Sequence, residues 1–255
     1  MAGTLIFNKQ SYITARALAT KLGLRPMRLP ESIAKFAKKG IYPSIRYGSS
    51  ICDLGAKDTS INSPNVIKLC ADSLAFSKFC EEHEIFSPVY NRFNPDKPPK
   101  FPFLLRSRWH RSGKDISTIM NKEDLEALPL DKLYNRYWVP FIPSKYEIRL
   151  HYIFGDVPRI FLKKPGEHTD DTDFIRTMSK GWQYSLQLEL GDRYTSAQKT
   201  AMKVAELLKI SFAGIDMAWI PDRKRYIIWE VNTAPGLNIN TVEIYASRLR
   251  EKLYE

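Results

Sequence analysis

Phe212-Ala213-Gly214-Ile215-Asp216-Met217-Ala218-Trp219-Ile220 leads through Pro221-Asp222-Arg223-Lys224-Arg225 into Tyr226-Ile227-Ile228-Trp229-Glu230-Val231-Asn232. Two runs of apolar, β-branched and aromatic residues joined by a short polar turn predict a β-hairpin. Side chains alternate across a strand, so Glu230 and Asn232 share one face, with Trp229 and Val231 on the other. If Asp222, Arg223 and Lys224 form the loop, Pro221 opposes Arg225, and counting inward sets Asp216 directly across from Glu230. Two carboxylates so paired have Cβ atoms ~5 Å apart and repel unless something offsets them. A divalent cation does so, and oxygen donors from Asp, Glu and Asn suit magnesium, which keeps some waters and shares its shell with substrate phosphates. A solvent-facing polar strip satisfies the same pattern.

The continuation narrows the choice. Glu230-Val231-Asn232-Thr233-Ala234-Pro235-Gly236-Leu237, preceded by Gly214-Ile215-Asp216, resembles the closing signature of the ATP-grasp superfamily, in particular carboxylate-amine ligases such as D-alanine ligases and RimK-like glutamate ligases. The resemblance implies that Asp216, Glu230 and Asn232 bind magnesium at the ATP phosphates, with manganese as a substitute, and that the Pro235-Gly236 turn lies beside the substrate. It implies an α+β fold: two α+β lobes clasping the nucleotide, preceded by a small α/β N-terminal domain. The implied reaction activates a carboxylate as an acyl phosphate and joins it to an amine. Asn232, Arg149 and Lys163 are then expected at the reacting groups, Arg149 and Arg176 being candidates for the carboxylate or phosphate of the partner.

Upstream the resemblance implies a proline-containing strand ending in a phosphate-binding cation, here Arg106, then a loop over Ser107 to Asp115 that offers His110, Ser112, Gly113 and Lys114 to the triphosphate. Backbone amides and a cation near phosphate are the physical requirement. Arg111-Ser112-Gly113-Lys114-Asp115 is no Walker loop, lacking the first glycine and a hydroxyl residue after the lysine. Trp138-Val139-Pro140-Phe141-Ile142 resembles the linker whose backbone meets the adenine edge; Pro140 has no N–H, so Ile142 is the expected donor, with Phe141 beside it. Glu147 falls at the ribose position and shares a strand face with Arg149. Lys163 matches a second phosphate cation, with Lys164 as the alternative register.

The rest of the chain supplies the frame. Among 255 residues, 44% are hydrophobic and no low-complexity tract or repeat occurs, which predicts globular structure with a sizeable core. Strands are expected at Thr4 to Phe7, Ile41 to Tyr47, Phe101 to Arg106, Tyr146 to Phe154 and from Arg159. Helices are expected at Ser11 to Leu22, Val66 to His83, Ser196 to Lys209 and at the end, where Asn240 and Glu243 have capping-box spacing. Leu69, Cys70, Leu74 and Phe79 fit a buried stripe of the second helix. The proline-rich Asn94 to Lys100 predicts a boundary between residues 1–95 and an ATP-grasp domain at 96–255, itself divided near 165 into a nucleotide lobe and a metal lobe.

Cys52, Cys70 and Cys80 form no CxxC pair, which predicts reduced thiols. No run reaches the length of a membrane span and no signal-peptide pattern opens the chain, which predicts a cytoplasmic protein. Lys and Arg outnumber Asp and Glu by 39 to 28, so a polyanion is a fitting ligand. A nucleic-acid-binding or regulatory protein that retains the fold meets that condition too. The identity of the carboxylate and amine, whether small molecule, peptide or protein, is not written in these residues; Phe174 to Tyr184 and Asn238 to Asn240 are expected to set specificity.

Overall fold

Thr4-Leu5-Ile6-Phe7 is wholly buried, and so forms the central strand β1 of a parallel three-stranded sheet, between β2 (Arg25–Arg28) and β3 (Ile45–Tyr47). The computed structural model describes residues 3–8, 11–28, 44–50, 59–109, 115–167, 169, 175–186 and 192–254. Helix α1 (Tyr12–Leu22) crosses between β1 and β2, burying Ala15, Leu18, Ala19 and Leu22, and ends at Gly23 in the left-handed region with φ 66°.

The expected helix from Val66 to His83 is two helices, α2 (Pro64–Ala71) and α3 (Ser73–Glu82). Asp72 takes an extended conformation and its carboxylate accepts the amides of Leu74 and Ala75, so a strong N-cap inside an apolar pattern restarts the helix. The break turns the buried stripe: Val66, Ile67, Phe76 and Cys80 are buried, while Leu69, Cys70 and Phe79 are partly buried against them and Leu74 is half-exposed. Ser63 and Pro64 open α2 as expected.

Two antiparallel sheets follow. The first has the order β4 (Asn91–Arg92), β7 (Tyr137–Pro140), β5 (Phe103–Arg106), β6 (Ile116–Ile119), with the short α4 (Lys122–Glu126) behind it. The second has the order β10 (Gln183–Leu186), β9 (Asp156–Lys164), β8 (Tyr146–Ile153), β11 (Phe212–Ile220), β12 (Arg225–Asn232). Strands β8 and β9, before residue 165, thus share a sheet with β11 and β12, after it, through the pairing of β8 with both β9 and β11. Val66, Ile67, Phe76, Cys80 and Ile85 join the same apolar cluster as Ile215, Ile228 and Val231.

Helix α5 (Asp192–Leu208) begins before the expected Ser196 and covers one face of the second sheet, where Ala197, Ala201, Val204 and Leu208 meet Ile148, Leu150, Ile215 and Met217. The opposite face of β8 and β11 is left to Glu147, Arg149, Gly214 and Asp216. In α6 (Ile239–Tyr254) the cap is Asn238, whose side-chain oxygen accepts the amide and hydroxyl of Thr241; the Asn240 and Glu243 pair lies inside the helix instead. Tyr245 and Leu249 are buried, and pack α6 against the N-terminal sheet and α1. No helix among the described residues is long and apolar enough to cross a membrane.

Candidate active site

The hairpin brings Asp216 opposite Glu230, and Gly214 opposite Asn232. The route differs from a plain count. Ile220, not Pro221, opposes Arg225, since Pro221, Asp222 and Arg223 form a 3-10 turn and Lys224 takes φ 47°. Trp229 is then an extra residue in β12, between the Met217–Ile228 and Asp216–Glu230 pairs, and this bulge restores the pairing of the carboxylates. It also breaks the alternation: Trp229 packs with Ala218 and Ile227 on the same side as Glu230, not opposite to it, while Val231 turns to the core.

Arg149, across from Asp216 on β8, donates from Nε to Oδ1 and from Nη2 to Oδ2, both at 2.6 Å. Burial pushes the Asp216 carboxyl up, but the Arg149 charge and its forked hydrogen bonds outweigh this and hold it below the usual carboxylate value. Glu230 is moved the other way, first by the surrounding protein and then by the Asp216 charge across the ladder. Its side chain nevertheless meets solvent, as a group at the floor of an open cleft does. The Asn232 side-chain oxygen accepts from the amide of Ala234 at 2.9 Å, which fixes the loop that follows.

Lys163 faces this cleft and Lys164 the solvent. Lys163 Nζ donates to Glu147 at 2.8 Å, and Arg176 approaches the same carboxylate at 3.9 Å. Tyr184 lies beneath both cations, its ring 4.7 Å from the Arg149 guanidinium carbon and 5.8 Å from Lys163 Nζ. Sequence reasoning gave Tyr184 no more than the end of a specificity segment; its placement follows from β10 pairing with β9, which sets Tyr184 opposite Lys163.

From the other sheet comes Arg106, 9% exposed, with its guanidinium 5.1 Å above the Tyr90 ring and its Nε without a hydrogen-bond partner. Burial lowers its pKa, against the pull of Tyr90 and of Glu230. Arg108, two residues on, is gripped by both carboxylate oxygens of Asp72. His110, Ser112, Gly113 and Lys114 lie outside the described residues. The amide of Phe141 donates to the carbonyl of Pro102, and Ile142 joins Phe86 and Trp229 around Ala218, Ile220 and Ile227, an apolar patch beside the hairpin.

This arrangement fits an anionic ligand with a metal. A buried guanidinium nitrogen without an acceptor is costly unless a ligand satisfies it. Among the described residues no three or more His, Cys, Asp or Glu side chains form a metal cage, so the available oxygen set is the two carboxylates and one amide, sparse enough for an ion that shares its shell with phosphates.

No family model matches the sequence. A stretch of 98 residues is 26% identical to the uncharacterized protein MG011 homolog of Mycoplasma pneumoniae, covering 38% of this chain and 34% of that protein, about a third of its length. Solved structures agree over nearly the whole chain. The D-alanine–D-alanine ligase of Bacillus anthracis complexed with ATP superposes with a TM-score of 0.71 at 14% identity, covering 99% of this chain and 96% of that one. N5-carboxyaminoimidazole ribonucleotide synthetase of Thermotoga maritima gives 0.67 at 15%, covering 98% and 75%. The RimK domain ATP-grasp protein of Sphaerobacter thermophilus gives 0.65 at 13%, covering 98% of both chains.

Proposed function

We propose that this chain, which has the ATP-grasp fold, is an ATP- and magnesium-dependent ligase that activates a carboxylate as an acyl phosphate and joins it to an amine. The observation that carries the reading is the pairing of Asp216 with Glu230, beside Asn232, in a cleft that Arg106, Arg149 and Lys163 also enter. Asp216, Glu230 and Asn232 would hold magnesium; when bound, the metal neutralises phosphate charge and relieves the repulsion that raises Glu230.

The chain's own residues do the remaining work. Arg106 donates its unpartnered Nε to a phosphate oxygen, and a fork there orients the phosphate as a lysine's point charge does not. Lys163 and Arg149 stabilise charge that develops on the transferring phosphoryl group and the carboxylate oxygen, the chief contribution where little covalent work falls to the protein. Glu147 accepts from ribose hydroxyls, and the apolar patch around Ile142 and Trp229 takes the base, with the Ile142 amide at its edge because Phe141's is already bonded. The test is carboxylate-dependent release of ADP, with hydroxylamine trapping the acyl phosphate as a hydroxamate.

A further inference from the structure

Arg106 ends β5, where pairing with Ile116 on β6 and Tyr137 on β7 fixes its main chain. Ladder pairing does not aim a long side chain, which must lose its rotamer freedom by some other contact. For Arg106 that contact is a ring: its guanidinium carbon lies over Tyr90, 5.1 Å from the centroid, and both residues are buried. Arg149 is held by Asp216 and Lys163 by Glu147, contacts that neutralise the cation and occupy its donors. An aromatic face attracts the charge while leaving the N–H groups to a ligand.

Tyr90 is itself set by α3. Its amide donates to Oγ of Ser77 at 3.2 Å, the Ser77 hydroxyl donates to the carbonyl of Pro88 at 3.0 Å, and the Tyr90 hydroxyl is bonded to Ser73. Ser73 is the first residue of α3 and follows Asp72, the cap whose carboxylate grips Arg108. The first turns of α3 therefore reach two arginines at the end of β5, one through a ring and one through a carboxylate. Tyr90 also lines a cavity of about 310 Å³ together with Glu230 and Asn232, so the ring stands beside the acid hairpin.

We infer that Tyr90 is the positioning residue for Arg106: its ring, pinned through Ser73 and Ser77, holds the guanidinium in the cleft with donors free for a phosphate of ATP. The inference rests on the phosphate role that the ligase reading above gives Arg106. It also accounts for an arginine at this position. A planar guanidinium stacks well on an aromatic face, whereas an ammonium is a compact, strongly hydrated point charge. Tyr90, Ser73 and Ser77 all precede the proline-rich Asn94 to Lys100, so the N-terminal part of the chain governs nucleotide affinity through Arg106, with no contact of its own to the phosphate.

The test is binding of ATP and of adenosine to the full chain and its variants by isothermal titration calorimetry, with a thermal unfolding curve for each. Tyr90→Leu should weaken ATP about tenfold, the scale of a desolvated cation–π contact, and adenosine, which has no phosphate, less than about twofold. Tyr90→Phe keeps the ring and should hold ATP within about threefold of the parent. Where Tyr90→Leu does not fold, trifluorophenylalanine placed at position 90 by amber suppression keeps the shape while fluorine strips the ring face of its negative charge. It should weaken ATP about tenfold relative to Tyr90→Phe at an unchanged melting temperature. In an Arg106→Lys background the loss on Tyr90→Leu should shrink below about threefold. Equal losses for ATP and adenosine, ATP binding indifferent to the fluorinated ring, or an undiminished loss in Arg106→Lys would overturn the inference. Hydroxamate formation by the parent reports separately on the ligase reading: its absence beside ATP binding that depends on Tyr90 would refute the reaction and leave the inference standing.

Discussion

Asp216 faces Glu230 because two departures from a regular hairpin cancel: the turn is one residue longer than a three-residue loop, and Trp229 is one residue extra in β12. Without the bulge, a ladder that starts at Ile220 and Arg225 sets Asp216 against Trp229 and turns Glu230 away from it. Bulges are common beside active sites because they re-aim a side chain in this way. Here the bulge puts an acid and an aromatic side by side on the cleft wall, Glu230 opposite Asp216 and Trp229 in the apolar patch.

Arg149 and Asp216 are about 14% and 15% exposed and share a forked pair of hydrogen bonds. Arg149→Met or Asp216→Leu alone leaves a charge with no partner, and each should cost roughly 3–5 kcal/mol in urea unfolding. The double substitution should cost far less than the sum of the two. Additive losses would mean that the pair is not coupled in the folded protein.

His151 is buried, bonded through Nδ1 to the Tyr245 hydroxyl at 3.1 Å, and burial followed by the Arg149 charge brings its pKa down from 6.5 to about 3. Between those values the unfolded chain binds a proton that the folded one does not. Stability should therefore fall as pH drops below 6.5, by up to ~1.4 kcal/mol per pH unit from this group. The Asp216 contribution is lost only lower, below the ordinary carboxylate value, since its folded pKa is depressed. Thermal unfolding from pH 7 to 5 should show a shallower acid slope in His151→Asn than in the parent; an unaltered slope would assign the acid sensitivity elsewhere.

Asp72 has two tasks, capping α3 and holding Arg108 just beyond β5, ahead of the segment proposed to meet the phosphates. Asp72→Ala removes both and should cost ~1–2 kcal/mol for the cap alone. Asp72→Asn keeps a good cap but not the charge. It should leave the melting temperature close to that of the parent while raising KM for ATP severalfold, and a KM that stays put would confine Asp72 to a helix-capping role.

The sequence carried the hairpin and the pairing of Asp216 with Glu230 because these are local: period-2 patterning, turn chemistry and a short signature run. Alternation left the faces of Lys163 and Lys164 open while the start of β9 was uncertain by residues; in the sheet Lys163 turns to Glu147 and Lys164 to solvent. Asp72 was hidden inside an apolar stripe that reads as one helix; its capping role depends on a side-chain bond that periodicity does not register. The cavity lined by the N-terminal unit, α2, α3 and the stretch from Trp229 to Gly236 was illegible for a different reason. Its walls come from five separate stretches of chain, and no spacing in sequence measures their approach.

The most direct test of the central claim is hydroxamate formation from a panel of carboxylates with ATP, magnesium and hydroxylamine, comparing the parent with Asp216→Asn and Glu230→Gln. The account predicts magnesium-dependent product in the parent and a loss of about a hundredfold or more in each variant. Product formed equally well by the variants, or without magnesium, would contradict it.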